Sequence, residues 1–426
     1  MANVQAQSVK APRIMSDRYP PNMSTPKRLS CNVPWLGEVS VSEGGILITL
    51  LAGYVMPGTP SWSFIFYLAS IPPLLLTLRR GWRPDLRHPP LAAMLCLWLW
   101  STLAIAWTHD LTGHGKSHVF WYVNALWTLV FMLNFVSALN DQPQSRRRVI
   151  AMLIYGAAVN ASICLVLFAL KGDLTTRLFG WGITSNPVMG AAIMDIALLL
   201  AFVQVKAAPR QRLAIVLAAL PIIAFILLSY SRTAWIALAV ALLLAGLGRY
   251  PVRAALAGLA LAGAALALWK FGAVLFPVLW NNLASRGSDC HMQLWRTAWQ
   301  FDLKHPLAGY GPAATLPKAD LPGPFCPPYP APHDLYLSIM LYSGGIGLGL
   351  FMITVALLWW HLYAATQGFT RRLWLAVGLI PLIVGISDLI QIIKGPSPMW
   401  YIFWVPMLLI VTLPRNRPER PGGPAL

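Results

Sequence analysis

Two side chains in this sequence combine a reactive type with a defined position beside an apolar run: Arg232 and His333. Arg232 lies in the tight polar turn Leu228–Ser–Tyr–Ser–Arg–Thr–Ala–Trp235, which joins two apolar runs. A charge held there is costly without a partner, and the free N–H groups of a helix start favour an anion beside them. The turn therefore predicts an anion-binding site. The structural alternative is an arginine that snorkels to lipid headgroups.

His333 stands in Pro332–His333–Asp334, at the end of a proline-rich approach and immediately before a long apolar run. A helix start disfavours protonation of an imidazole, which suits a general base, whereas a nearby Asp334 carboxylate favours protonation. The sequence leaves open which of the two effects is larger. The position of His333 at a helix start makes it the candidate base.

Both residues border a long polar stretch, from about Phe271 to Gly347, in an otherwise apolar chain. This stretch also carries Arg286 and Arg296, whose guanidinium groups are further candidates for binding an anion. Residues 288–303 have helical spacing, and their apolar face packs against either the membrane or the helix bundle. That face is predicted to contain Leu294, Trp295, Ala298 and Trp299.

The acidic residues and histidines of this stretch form no D-x-D or H-x-x-x-H pattern. A site that binds a divalent metal ion needs several such ligands at close spacing. We therefore expect a site without a metal ion and without a cofactor.

The elements that position these residues are predicted from composition. Of the 426 residues, 57% are hydrophobic and only 11% are charged, and the apolar residues occur in runs of about the length that crosses a bilayer. The chain is therefore predicted to be an all-α polytopic membrane protein with about twelve spans. The predicted spans are 44–57, 61–78, 90–107, 119–139, 149–170, 185–204, 212–230, 233–248, 252–271, 335–359, 373–393 and 399–413.

The formal net charge of +18 would fit a nucleic-acid partner if the basic residues shared one exposed face. Here they lie between apolar runs, so no nucleic-acid partner is expected. Placing the amino terminus inside the cell puts most of the 32 Lys and Arg residues in the cytoplasm, as the positive-inside rule requires. Both termini are then cytoplasmic, and the long polar stretch faces outward.

This topology divides the chain into five segments. Residues 1–43 form a basic cytoplasmic tail, predicted to be mostly disordered and to end in a surface helix. Residues 44–271 form spans one to nine, 272–334 a large, partly helical periplasmic loop between spans nine and ten, 335–413 spans ten to twelve, and 414–426 a second cytoplasmic tail.

The topology also bears on cysteine and aspartate residues. Of the five cysteines, only Cys290 and Cys326 share the oxidising side of the membrane, so they are predicted to form a disulfide. Asp195 and Asp388 lie within or near the ends of apolar runs. Each is either a proton or ion relay or, as we expect, a cap or cross-link between helices.

These features together resemble the O-antigen ligase and polymerase family of bacterial inner-membrane glycosyltransferases. The resemblance rests on the span topology with a large late loop and on four motifs in order: Ser231–Arg232–x–x–Trp235, Trp295–Arg296–x–Ala298, His305–Pro306–x–x–Gly309–x–Gly311, and His333 followed by Gly344–x–x–Gly347. Ligases within the family have the most similar arrangement.

The sequence departs from the family pattern at two positions. Asp334 stands where an amide or hydroxyl is usual, and His291 occupies a place where relatives often carry arginine. The second departure leaves open whether Arg286, Arg296 or His291 supplies the second cationic contact.

The resemblance implies a GT-C-like membrane fold and transfer of a glycan from undecaprenyl diphosphate to a hydroxyl of the lipid A-core oligosaccharide at the periplasmic face. His333 would be the catalytic base, and Arg232, Arg286 and Arg296 would bind the diphosphate. An O-antigen polymerase or a protein O-oligosaccharyltransferase would use the same donor. A polysaccharide flippase or other transporter would instead require internal repeats and broken helices near the midplane, and no convincing repeat is found.

Overall fold

A computed structural model of the chain describes residues 30–33, 37–108, 116–139, 142–172, 175–247, 289–316 and 331–414, together with positions 253, 260, 263, 270, 274, 277 and 280. Within these residues, seven helices are long and apolar enough to cross a membrane, namely Thr59–Arg79, Pro89–Trp107, His118–Leu139, Pro143–Leu170, Pro187–Ala207, Pro209–Leu228 and Leu335–Ala365. Shorter apolar helices occupy Val41–Val55, Arg232–Gly246 and Trp400–Val411. The prediction of a polytopic helical protein is confirmed. The count of twelve spans stays a prediction, because most of the predicted span 252–271 lies outside the described residues.

The described elements follow in chain order. Two short strands come first, β1 (Ser30–Val33) and β2 (Gly37–Ser40). The helices are α1 (Val41–Val55), α2 (Thr59–Arg79), α3 (Pro89–Leu103), α4 (His118–Leu139), α5 (Pro143–Leu170), α6 (Pro187–Ala207), α7 (Arg212–Leu228), α8 (Arg232–Leu247), α9 (Asp289–Asp302), α10 (Leu335–Ala365), α11 (Gly368–Val384) and α12 (Val405–Val411). A π-helical turn, Trp400–Trp404, precedes α12.

The region before α1 differs from the predicted surface helix. β1 and β2 form an antiparallel pair in which Ser30 faces Ser40, and Ser40 then caps α1 by accepting a hydrogen bond from the Glu43 backbone N–H. The Glu43 carboxylate is buried and forms an ion pair with Arg148 of α5 at 2.8 Å. Because a buried charge without a partner is strongly destabilising, this pair ties the hairpin and α1 to α5.

Helix α6 forms the centre of the bundle. It packs against α5, α7, α8 and α11, and every residue from Gly190 to Ala201 is buried. Small residues on this helix allow close approach of its neighbours, which is how membrane helices gain packing energy. Asp195 is fully buried here, and neither of its carboxylate oxygens has a hydrogen-bond partner in the described part of the chain. The structure therefore gives no support to a cross-linking role for Asp195.

Residues 385–397 are irregular, although 385–393 were predicted to continue a span to residue 393. Helix α11 ends at Val384. Backbone N–H and carbonyl groups of the following segment have no partners within a helix and bond instead to side chains of the bundle. Gly395 N–H donates to Asn124 Oδ1 at 2.6 Å, and the Trp400 indole N–H donates to the Lys394 carbonyl at 2.8 Å. The Trp404 indole donates to the Ile392 carbonyl. Non-helical backbone is tolerated at membrane depth where it is enclosed by protein, and these partners provide that enclosure.

Helix α10 is broken at Gly344, whose backbone angles, φ 65° and ψ −172°, are not helical. The segment 306–311 lies against the break and pairs with it through four backbone hydrogen bonds. Tyr310 and Gly311 donate to the carbonyls of Leu341 and Tyr342, while Gly345 and Ile346 donate to those of Pro306 and Leu307.

Two tryptophans complete this junction. The Trp100 indole donates to the Ser343 carbonyl at 2.8 Å, and the Trp107 indole donates to the Ala308 carbonyl at 3.1 Å. A Cβ on Gly309 would lie 2.6 Å from the Leu341 carbonyl oxygen, so only glycine fits. The two glycine motifs of the sequence therefore hold the long loop on α10.

Candidate active site

Arg232 begins helix α8 and its side chain is exposed. The turn before it contains Tyr230 at φ 45°, and the Ser231 hydroxyl faces the Ala234 N–H at 3.5 Å. Arg177 supports the turn from outside by donating from Nε to the Ser229 carbonyl at 2.6 Å. The sequence prediction that Arg232 stands at a helix start is confirmed, and the helix end adds positive potential to the guanidinium charge.

His333 stands two residues before the first residue of α10, in the left-handed region at φ 53°. The next residue, Asp334, turns its carboxylate into the helix, where Oδ1 accepts a hydrogen bond from the Leu337 N–H at 2.8 Å. Leu335 N–H donates to the Gly385 carbonyl at 2.6 Å and fixes the helix start against the end of α11. These hydrogen bonds fix the backbone of the turn that carries His333, immediately before α10.

Burial answers the question that the sequence left open for His333. Its pKa is lowered to about 4, first by burial and then by the nearby imidazole of His291. The Asp334 carboxylate is engaged in capping α10 instead. His333 is therefore neutral at neutral pH in the protein without substrate, and its ring can accept a proton.

His291, on α9, lies between the two predicted residues. Its side chain is hydrogen-bonded to the backbone of Ser387, and it is close enough to Arg232 and to His333 to interact with both electrostatically. Burial lowers the pKa of His291, and the guanidinium of Arg232 lowers it further. The structure thus brings Arg232, His291 and His333 into one group, which we call the cationic site.

Arg296 is not part of the cationic site. On α9, Leu294 and Ala298 are buried against the bundle, whereas Arg296 is exposed on the opposite side together with Trp299, which is 52% exposed. The buried part of the predicted apolar face is therefore limited to Leu294 and Ala298, and the exposed Trp299 stays compatible only with the alternative in which that face meets the membrane. The side chain of Cys290 and all of Arg286 and Cys326 lie outside the described residues, so the disulfide and the role of Arg286 stay predictions.

Residues after α11 complete the surroundings of the cationic site. Thr233, next to Arg232, has its hydroxyl 2.8 Å from that of Ser387, and the Ser387 hydroxyl lies 3.4 Å from Asp388 Oδ2. The Arg177 guanidinium is close enough to the Asp388 carboxylate to interact electrostatically. Sequence reasoning did not place Ser387 or Arg177 at the site. The only signal was that both an aspartate and an arginine stood near the ends of apolar runs.

A second group of ionisable residues lies beside the segment 306–311, which pairs with the break in α10 and which we call the docked loop. Asp302, at the end of α9, is 1% exposed, and neither of its oxygens has a hydrogen-bond partner within the described ranges. Burial and the neighbouring Asp334 raise the pKa of Asp302 to about 7. The ring of Tyr310 faces the exposed His305 at 4.3 Å between ring centroids. This group couples the end of α9 to the start of α10.

Among the described residues, no group of three or more His, Cys, Asp or Glu side chains could hold a metal ion. The residues gathered around the cationic site can instead bind an anion through fixed guanidinium and backbone N–H groups.

The fold and the site together define a polytopic helical membrane protein in which an arginine and two histidines come together at the starts of α8, α9 and α10. Residues 213–352 match the family model described as O-antigen ligase. This match agrees with the resemblance predicted from the sequence, and the matched segment contains Arg232, α9, His333 and the break at Gly344. No curated protein matches the chain. The family implies a bacterial membrane enzyme of the glycosyltransferase type that acts in O-antigen processing.

Proposed function

We propose that this protein transfers O-antigen glycan from undecaprenyl diphosphate to a hydroxyl of the lipid A-core oligosaccharide, completing lipopolysaccharide. The reaction takes place on the periplasmic side of the bacterial inner membrane, without a metal ion. The observation that carries the proposal is the convergence of a helix-start arginine and a neutral, rigidly held histidine within the matched family segment.

Arg232 binds the diphosphate of the donor in this proposal. Its planar guanidinium can bind two phosphate oxygens at once, and the free N–H groups at the start of α8 add to the attraction. Arg177 stands next to the same turn. Fixed cations of this kind stabilise the charge that develops on the leaving diphosphate, which is the role a metal ion has in other transferases. Arg286 and Arg296 are proposed as further contacts, with Arg296 reaching the donor from the exposed side of α9.

His333 acts as the base in this proposal. The acceptor hydroxyl oxygen attacks the anomeric carbon, the bond from that carbon to the diphosphate oxygen breaks, and the hydroxyl proton passes to the imidazole. A pKa of about 4 is low for this role. A bound diphosphate places negative charge beside the imidazole and raises its pKa toward the useful range. One displacement of this kind inverts the anomeric configuration.

Purified variants test the roles of these two residues. We expect His333→Ala to lose transfer, by about 10²-fold or more, while the donor still binds. Arg232→Ala and Arg232→Lys should weaken both transfer and donor binding, because a lysine cannot bind two oxygens in a fixed plane. The matched controls are His305→Ala and Arg371→Ala, since His305 is exposed immediately before the docked loop and Arg371 lies at the start of α11.

Near-normal transfer by folded His333→Ala would remove His333 as the base. A product that keeps the anomeric configuration of the donor would exclude a single displacement.

Cells that lack the protein distinguish ligation from the related activities. Loss of all capped lipopolysaccharide with carrier-linked polymer retained is the expected result for a ligase. Capping with single repeat units would assign polymerisation instead, and loss of glycan from proteins alone would assign protein O-glycosylation. Accumulation of donor on the cytoplasmic side would assign transport.

A further inference from the structure

His291 has a different environment from the other histidines of the loop. It stands on the side of α9 that also carries Ala298, which is completely buried, and its ring is hydrogen-bonded to the backbone of Ser387. Ser387 in turn contacts the Thr233 hydroxyl, in the first turn of α8. His291 is therefore attached to the segment that positions Arg232, and its ring cannot turn to solvent without losing that hydrogen bond.

The charged and titratable groups around His291 come from three elements. Arg232 faces it from α8, and His333 faces it from the corner before α10. Asp388 follows Ser387 in the segment after α11, with Arg177 beside it. The burial of the ring and the Arg232 charge oppose a proton on His291, while the hydrogen bond to Ser387 favours one.

An anion bound at Arg232 changes this balance. It opposes the positive potential of the guanidinium and adds an attraction for an imidazolium, so protonation of a nearby histidine becomes favourable. His291 and His333 respond differently. Burial and the imidazole of His291 both lower the pKa of His333. His291, in contrast, already has a hydrogen bond that favours its charged form. The first proton attracted by the anion therefore goes to His291.

We propose that His291 takes up one proton from solvent when the diphosphate of the donor binds, becomes the second cation of the site, and returns the proton when the diphosphate product leaves. His333 stays neutral and acts as the base. The inference rests on the proposed function, since it takes a polyprenyl diphosphate as the ligand. It assigns to His291 the second cationic contact inside the cationic site, whereas Arg296, on the exposed side of α9, would contact the donor only from outside that site.

Calorimetric titration of the full-length protein in detergent with farnesyl diphosphate tests this directly. Titrations at pH 7 in two buffers of different ionisation enthalpy give the number of protons taken up per ligand bound. The variant His291→Gln keeps a side-chain donor for the Ser387 backbone but cannot be protonated. We expect it to take up about one proton fewer than the natural protein. The controls His333→Gln and His305→Gln should keep the natural number.

An unchanged proton number in His291→Gln would overturn the inference, and so would loss of the proton in His333→Gln. Failure of the natural protein to bind farnesyl diphosphate would refute the proposed function and this inference together. If the natural protein binds farnesyl diphosphate but His291→Gln takes up the same number of protons as the natural protein, only the inference is refuted.

A permanent cation gives a second readout if His291→Gln does not fold. For His291→Arg, we expect affinity relative to the natural protein to rise about tenfold for each pH unit between pH 6 and pH 8, because only the natural protein must take up a proton when it binds the diphosphate. A ratio that stays constant with pH would overturn the proposal.

Discussion

Replacement of Gly344 by alanine should separate the long loop from the break in α10. A Cβ at this position would lie 2.1 Å from the carbonyl oxygen of Leu307 and 2.5 Å from the backbone N of Ala308. Both atoms belong to the backbone, so no side-chain rotation can make room. The backbone at Gly344, at φ 65° and ψ −172°, is also in a region that is essentially restricted to glycine.

The size of the effect follows from these two contributions. A non-glycine residue in that backbone region costs about 1–3 kcal/mol. Moving the loop away breaks at least the two backbone hydrogen bonds made by Gly345 and Ile346, each with a net contribution of about 1 kcal/mol. We therefore expect the free energy of unfolding to fall by about 4 kcal/mol.

Gly349 of the same helix provides a matched control. A Cβ there meets no atom within 4 Å, so Gly349→Ala should be neutral or stabilise the helix by up to about 1 kcal/mol. The assay is the unfolding midpoint of both variants in detergent, followed by glycan transfer by the folded fraction. If Gly344→Ala proved as stable as Gly349→Ala, the account of the loop junction would be wrong.

Three further predictions concern titration, metal ions and a buried hydrogen bond. Because the pKa of Asp302 is raised from 3.8 to about 7, the folded protein binds that proton more tightly than the unfolded chain, and stability is lost as the pH rises between these values. Between pH 5 and pH 8, the free energy of unfolding of Asp302→Asn, measured relative to the natural protein by thermal melts, should therefore rise by about 3 kcal/mol. If this relative stability did not change with pH, the raised pKa of Asp302 would be contradicted. Transfer should persist in excess chelator, and its loss with recovery on addition of Mg²⁺ or Mn²⁺ would contradict the proposed cationic stabilisation. Trp100→Phe removes the donor for the Ser343 carbonyl and should cost about 1–2 kcal/mol, whereas Trp299→Phe on the exposed face should cost little.

The bundle helices were predictable because an apolar run of spanning length has few alternatives to a membrane helix. The predicted span 119–139 corresponds to α4 at His118–Leu139, and the predicted span 185–204 to α6 at Pro187–Ala207. The same reasoning failed after Val384. Residues 385–397 include four isoleucines and one leucine, and composition alone does not distinguish a buried irregular segment from a helix.

The individual site residues were predictable, but their arrangement was not. Arg232 and His333 could be chosen from their positions at helix starts, which local sequence determines. Their approach to His291 depends on how α9 packs, and the sequence left open whether Arg286, Arg296 or His291 supplies the second cationic contact. Helical spacing contained the missing signal: His291 shares a face with Leu294 and Ala298, whereas Arg296 is on the far side. The contribution of Ser387 depends on tertiary packing and has no sequence signal of its own.

The break in α10 also affects the distance, along the membrane normal, between His333 and the acyl chains of the lipids. Residues 345–365, the uninterrupted part of the helix, cover about 31 Å at 1.5 Å per residue, which equals the thickness of a hydrocarbon core. The piece before the break, residues 335–343, adds about 13 Å beyond that thickness. A continuous helix of the same total length would have to tilt strongly to fit a bilayer. With the break, the part after Gly344 is by itself long enough to cross a hydrocarbon core, and in the proposed function the histidine would then lie at the depth of phosphates and sugars.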